Sequence, residues 1–542
     1  MAVYGSNDDA LIAGFSVDET LGADARNWVF IKGLLSTPTT EFQNTLNNYG
    51  AYGFLLAFVI ILSTSALFSV TFSIENFTVK SFVSFYTILI LIIFSFFALL
   101  TPTYTGSAIF SGSVGFGILF LIYKVKVDNA KDLILLSSIL ISLSYLLRVE
   151  SFLLTFGFFI FLFLFEWLFF KHKVSNLFFL KTPFLIFILV FFTNLLIDRN
   201  NYADNAWKDY MDMNDLRHSI HLRTAEYVLG DYLYEIGWSQ SDYEMFRKFS
   251  LADSDKLNVD SLDKALEVSE FTRGPGALLS ANLKNELIFI NYSYAGQHWI
   301  LLLLLLIFVA FLILVSSRRL VYLLYMGLIL MMALGINYIF AVSYHLPDRL
   351  TFNLLFLVVV SVMIITVSEV LSIDKIPKFI LVNSIVLSLA LLITFSTVLP
   401  ERIVKKIEEN YKLQATYQGQ KFDLNLEPDN QIFIGTGSRL LYAGQNPYVK
   451  YEPIDKSQKV LLLGWHNLSP IWDKQLKNFG LDSSRFHADV IQDGRIRWID
   501  NSDALELLMG FYSQYSDVAI TIEDTGYLGT DFFRVFKISQ EK

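Results

Sequence analysis

Apolar residues recur in long runs separated by short polar connections. The pattern predicts membrane-spanning helices at about Gly50–Phe72, Ser81–Leu100, Ser107–Tyr123, Leu133–Leu147, Ser151–Phe170 and Thr182–Ile197. A long polar stretch follows, and four further runs lie at His298–Val315, Leu320–Val342, Thr351–Leu371 and Phe379–Leu399. A helix needs about 20 apolar residues to cross a hydrocarbon layer of roughly 30 Å. These runs meet that length closely enough to predict an α-helical polytopic membrane protein with about ten spans.

Basic residues in the short connections set the orientation, because Lys and Arg are retained on the cytoplasmic side. Alternate connections carry Lys80, then Lys124, Lys126 and Lys131, then Lys171, Lys173 and Lys181, then Arg318 and Arg319, then Lys375 and Lys378. The opposite short connections hold Arg148 and Arg349. Three long segments are therefore expected on the outer side: 1–49, 199–297 and 400–542, flanking membrane blocks at 50–198 and 298–399. Residues 1–10 show neither the basic n-region nor the apolar h-region of a signal peptide. An outward N-terminus then predicts a further helix upstream that would carry this segment across.

Within 1–49, Asp24–Ile31 reads as an interfacial helix, mixing charge with aromatic residues. A second short helix is expected with Thr39 or Thr40 as its cap and Glu41 in its first turn. In the middle segment Trp207, Tyr210, Leu216 and Ile220 recur at helical spacing, and Gly274-Pro275-Gly276 breaks the pattern. The last segment alternates periods. Lys459–Leu463 reads as a strand ending at Gly464-Trp465, Ser502–Tyr512 as a helix, and Val518–Ile522 and Phe532–Ile538 as strands. That mixture predicts a C-terminal extracytoplasmic α/β domain.

Composition narrows the chemistry. The chain is 54% hydrophobic and 17% charged, and it contains no cysteine. Disulfides, thiolate metal sites and a cysteine nucleophile are thereby excluded. A net charge of −9 argues against a nucleic-acid partner, since phosphate binding needs a concentrated basic surface.

Several positions hold candidate chemistry. Asp8 and Asp9, near Arg26, are adjacent carboxylates on the expected outer face. They are either a solvated turn or an acid–base pair in which one carboxylate takes a proton and the other orients. Arg148 and Glu150 lie where the fourth span emerges; Arg148 either snorkels to the interface or grips a lipid-linked phosphate with its fork of donors, steadied by Glu150. His345 and Arg349 flank Pro347 in another outer connection, which is an ordinary polar loop or a second phosphate contact. Arg217, His218 and His221 share a helix face. Two histidines without a third ligand make a poor metal site, so this reads as a solvated basic face or an acceptor contact. Gly435–Arg439 fails the spacing of a phosphate loop and reads as a turn. Glu166 and Glu369 are intramembrane carboxylates that reach the cytoplasmic interface or serve proton coupling.

Asn7-Asp8-Asp9 in the first outer loop, the Asp24–Ile31 stretch, Tyr145–Ser151 and Leu346-Pro347-Asp348-Arg349 together resemble the GT-C superfamily of membrane glycosyltransferases. The resemblance covers most of the membrane part and stops short of the tail. It implies a sugar transferred from a polyprenyl-phosphate donor to a cell-envelope glycan or lipid acceptor, at the outer face of the plasma (inner) membrane. Asp8 or Asp9 would be the general base, and Arg148 and Arg349 would hold the donor phosphate, with His345 beside them. It also implies a leading helix ahead of the acidic motif and neither metal nor cofactor. Competing readings are a polysaccharide polymerase or ligase working through Arg217–Arg223, a transporter, and an envelope scaffold.

Overall fold

The computed structural model describes residues 26–45, 50–72, 98–100, 102–124, 130–170, 179–223, 233–271, 319–343, 348–371, 431–436, 459–500, 504–516, 518–527 and 534–541, with scattered positions such as 12, 13, 309 and 448. Six helices open the described chain: α1 (Gly33–Thr45), α2 (Ala51–Phe72), α3 (Tyr104–Lys124), α4 (Ala130–Leu147), α5 (Val149–Phe170) and α6 (Lys181–Asn201). The five from α2 to α6 are long and apolar enough to cross a membrane. Two more apolar helices follow the middle segment, α10 (Arg319–Ser343) and α11 (Asp348–Leu371). The spans expected over 298–315 and 379–399, and most of 81–100, lie outside the described residues.

Helix α3 is the axis of the bundle, packed against α2, α4, α5 and α11. Its glycines and serines allow this. A Cβ on Gly115 would lie 3.0 Å from the Ser137 carbonyl oxygen, and one on Gly117 would collide with Ile364. Small residues let backbones approach where dispersion, not water exclusion, must hold helices together. Phe110 stacks on Phe356 at 4.6 Å and Phe165 on Tyr325 at 4.1 Å. Phe58, Leu153, Leu164, Leu185, Leu189 and Leu196 face outward and exposed, as a lipid-facing surface requires.

Residues 205–271 form α7 (Asn205–Arg223), α8 (Gln240–Arg247) and α9 (Val259–Phe271). Trp207, Tyr210 and Ile220 are buried, so the helical period of α7 marks a packed face. Helix α8 begins at a capping box in which Ser239 and Asp242 satisfy each other's backbone amides.

The tail contributes β1 (Ile432–Thr436), β2 (Lys459–Leu463), α12 (Pro470–Phe479), α13 (Phe486–Gln492), β3 (Ile496–Asp500), α14 (Ala504–Tyr512), β4 (Ile520–Tyr527) and β5 (Arg534–Gln540). The strands form one sheet in the order β2-β1-β3-β5-β4. Its β2-β1-β3 part is parallel, with Ile432 opposite both Lys459 and Ile496, and β5 pairs antiparallel with β3 and β4. Ile432, Phe433 and Ile434 are buried in succession, the mark of a parallel strand covered on both faces. This sheet shares one continuous core with α7–α9 and with Trp28, Ile31, Tyr52 and Tyr104 at one end of the bundle.

Three local expectations are corrected. The described part of Asp24–Ile31 is a turn, not an interfacial helix; Trp28 and Ile31 are buried, and Trp28 meets Tyr52 edge-on at 5.3 Å. Thr39 and Thr40 do not cap a helix. They sit inside α1 and return their hydroxyls to the carbonyls of Leu35 and Ser36, because the helix starts earlier, where partners from α6 satisfy its first amides. Gly435 and Thr436 close β1, so the turn read over 435–439 can begin only after them, outside the described residues.

Candidate functional site

Helix α4 ends at Leu147 and α5 starts at Val149, so Arg148 alone makes the turn. Its N–H donates to the Ser144 carbonyl at 3.0 Å and its carbonyl accepts from Phe152 N–H at 3.1 Å, so its backbone bonds to both helices. The two helices fold back tightly on α3: a Cβ on Gly112 would lie 2.6 Å from both Ser144 Oγ and Thr155 Oγ1. The Arg148 side chain, only 16% exposed, is held from three directions. Nη1 donates to Tyr104 Oη at 3.0 Å and to Thr105 Oγ1 at 2.7 Å. Nε lies 3.3 Å from Glu150 Oε2, and the guanidinium sits 5.1 Å from the Tyr104 ring centroid. A cation fixed in one orientation at a helix turn presents its planar donors to an anion with little ordering cost.

The segment leading into α1 completes the surroundings. Lys32 N–H bonds the Leu146 carbonyl at 2.9 Å, which ties it to the last turn of α4 beside Arg148. Helix α1 has no cap of its own. Its first amides are met by α6 instead: Gly33 N–H donates to Asp198 Oδ1 at 2.8 Å and Leu34 N–H to Asn194 Oδ1 at 3.1 Å. Asn194 in turn donates to Asp198 Oδ2 at 2.8 Å, and Lys32 Nζ stands 3.5 Å from the same oxygen. Gly33 is required here, since a Cβ would come within 2.8 Å of Asp198. Asp198→Ala is expected to lower stability by about 1–3 kcal/mol, the cost of orphaning a partly buried amide. Asp198→Asn, which keeps the acceptor, should cost less, and thermal unfolding in detergent micelles measures both.

From α7, Asp215 joins the same neighbourhood. Partial burial raises its carboxyl above the usual range, against the pull of His218; Asp212 and Glu150 add to the rise and Lys32 opposes it. Asp215 therefore senses the field of Glu150 and Lys32, next to Arg148.

Not every candidate comes together. Arg217 is buried, which overturns its place on a solvated face. Its guanidinium bonds Asn214 Oδ1 and the Trp465 carbonyl, where Tyr210 Oη also donates at 2.6 Å. It fastens the middle segment to the loop after β2. His218 is half-buried on α7, and His221 belongs to the same helix but its side chain lies outside the described residues. Arg26 pairs with Glu41 at 3.3 Å. Asp8, Asp9 and His345 lie outside the described residues; Arg349 stands in the first turn of α11, with its side chain likewise undescribed.

Sequence reasoning overlooked Tyr104, Thr105, Lys32, Asp198 and Asp215. The available signals were slight: a Tyr-Thr pair at the head of an apolar run, and Asn194 and Asp198 one turn apart at the foot of another.

At the opposite end of the bundle, Glu166 is fully buried and paired with Lys124 at 2.9 Å. Lys124 also reaches Tyr322 Oη at 3.4 Å, and that hydroxyl bonds Glu369. These carboxylates therefore join α3, α5, α10 and α11, and Glu166 is enclosed by protein. Among the described residues no group of three or more His, Asp or Glu is placed to hold a metal ion.

The apolar helices and the packed module at one end define an α-helical integral membrane protein. The chain is similar to the crystal structure of ArnT from Cupriavidus metallidurans in the apo state, at 9% identity over 99% of this chain and 94% of that one, with a TM-score of 0.41. No protein-family model matches the chain, and no curated protein does.

Proposed function

We propose that this chain is a membrane glycosyltransferase that moves a sugar from a polyprenyl-phosphate donor to a cell-envelope glycan or lipid on the outer face of the plasma (inner) membrane. The observation that carries the reading is Arg148, a nearly enclosed cation held by Tyr104, Thr105 and Glu150 where two apolar helices turn. A polyprenyl chain stays in lipid, so its phosphate-sugar head reacts only at that depth. Arg148 and Arg349, with His345, hold the phosphate; Asp8 or Asp9 is the general base, and Glu150 and Arg26 support the site. The acceptor hydroxyl oxygen bonds the anomeric carbon while its proton passes to the aspartate. The bond from that carbon to the phosphate oxygen breaks, and its electron pair leaves on the phosphate, where the arginines stabilise the growing charge.

A polymerase or ligase working through Arg217 is less well supported, since that guanidinium is buried against the Trp465 carbonyl. The test is reconstituted full-length protein supplied with a panel of polyprenyl-phosphate sugars and envelope lipid or glycan acceptors. Labelled sugar appearing on an acceptor with release of polyprenyl phosphate is the expected result. No transfer from any lipid-phosphate donor by folded protein overturns the reading.

A further inference from the structure

The loop after β2 is locked in an unusual degree of detail. Gly464 N–H donates to Asn467 Oδ1 at 2.9 Å, Asn467 N–H returns to the Gly464 carbonyl at 3.2 Å, and Leu468 has a positive φ of 66°. Asn467 Nδ2 also donates to the carbonyls of Phe249 and Leu251. With Tyr210 and Arg217 both bonding the Trp465 carbonyl, the backbone at 464–467 is fixed by the tail and the middle segment together.

This loop aims one side chain at the membrane bundle. The Trp465 ring, 5% exposed, meets Phe30 edge-on at 5.3 Å. Phe30 stacks on Tyr104 at 5.9 Å with planes 11° apart. Tyr104 is the ring beneath the Arg148 guanidinium and the acceptor of its Nη1. A second contact seats the tail on the same end of the bundle: Tyr448 Oη donates to the Leu99 carbonyl at 2.7 Å, and its ring lies 6.0 Å from Phe54. The loop is thus clamped above, and Tyr104 is clamped between a ring and a cation below. Aromatic rings in such stacked and edge-on contacts constrain one another's tilt.

We propose that Trp465 and Phe30 are positioning residues that set the orientation of Arg148 through Tyr104, which makes the C-terminal module part of the phosphate-holding unit. The proposal rests on the reading of Arg148 as a donor-phosphate group. Neither ring touches the phosphate. Each acts by keeping Tyr104 in the plane that directs the guanidinium.

The experiment measures the affinity of full-length protein in lipid nanodiscs for a polyprenyl monophosphate. Trp465→Ala, Trp465→Phe and Phe30→Leu are each compared alone and combined with Arg148→Gln. Trp465→Ala and Phe30→Leu are expected to weaken binding about tenfold, Trp465→Phe to stay within about threefold, and neither loss to add to that of Arg148→Gln, as for residues acting through one another. Should Trp465→Ala unfold the module, Phe30→Leu carries the test, because Phe30 is only partly buried and lies outside the sheet. Equal factors in both backgrounds, or unchanged binding by folded Phe30→Leu when Arg148→Gln binds weakly, overturn the relay alone. Unchanged binding by Arg148→Gln itself removes the phosphate reading, and the relay falls with it.

Discussion

Arg148→Gln is expected to lower kcat/KM for a polyprenyl-phosphate sugar by about 10²–10³, the usual loss when a fixed donor to a developing oxyanion is removed. Glutamine keeps much of the stem and one donor group but neither the charge nor the fork. Tyr104, Thr105 and Glu150 then lose the group they hold in common. Arg148→Lys restores the charge without the planar geometry and is expected to recover only part of the rate. Replacing the acids tests the other half of the site. Whichever of Asp8→Asn and Asp9→Asn removes the general base should lose about 10²–10⁴, with donor-phosphate affinity retained. Steady-state kinetics and phosphate binding on the same preparations separate the two roles. Full activity in Arg148→Gln would remove Arg148 from the donor-phosphate site while leaving the transfer itself demonstrated.

The second large effect is on stability. His487 of α13 is buried beside Phe486, Phe511, Tyr512 and Tyr515. Its Nε2 accepts from Ala252 N–H at 3.4 Å, while Nδ1 lies 3.3 Å from Tyr512 Oη. The acceptor role of Nε2 places the proton on Nδ1 and makes the ring neutral. Burial pushes its pKa down to about 3, with Asp253 opposing the fall and Lys256 adding to it. Between that value and its ordinary 6.5 the unfolded chain binds a proton that the folded chain does not. Stability is therefore complete above pH 6.5 and is lost as pH falls toward 3, by about 1.4 kcal/mol for each pH unit. Unfolding followed by tryptophan fluorescence from pH 7 to 4 should fall more steeply in the native protein than in His487→Gln. Parallel curves would contradict the neutral, buried assignment.

Much of the secondary structure is legible from residue order. The strand read at Lys459–Leu463 has those same bounds, and the helix read at Ser502–Tyr512 begins two residues later at Ala504. The span read at Leu133–Leu147 starts slightly earlier at Ala130. These elements declare themselves because hydrophobic period is a local property. Where a period was read but tertiary contacts supplied the cap or the burial, the reading missed. Helix α1 starts at Gly33 because Asp198 and Asn194, more than 150 positions away, satisfy its amides. Arg217 left the solvated face because a carbonyl 248 positions away accepts its bond.

The candidate site divides along the same line. Arg148 and Glu150 stand out as rare charges at a span boundary, and their contact is local, two residues apart. Tyr104 and Thr105 carry no such mark, and only the fold-back of α4 and α5 onto α3 brings them to Arg148. By itself the sequence determined the apolar helices, their approximate limits and the charges at their ends, because chain spacing and lipid solvation act residue by residue. Only the tertiary structure decided which aromatic rings meet at Arg148 and which side chains hold its guanidinium. Contacts between residues hundreds of positions apart depend on packing complementarity, which leaves no period along the chain.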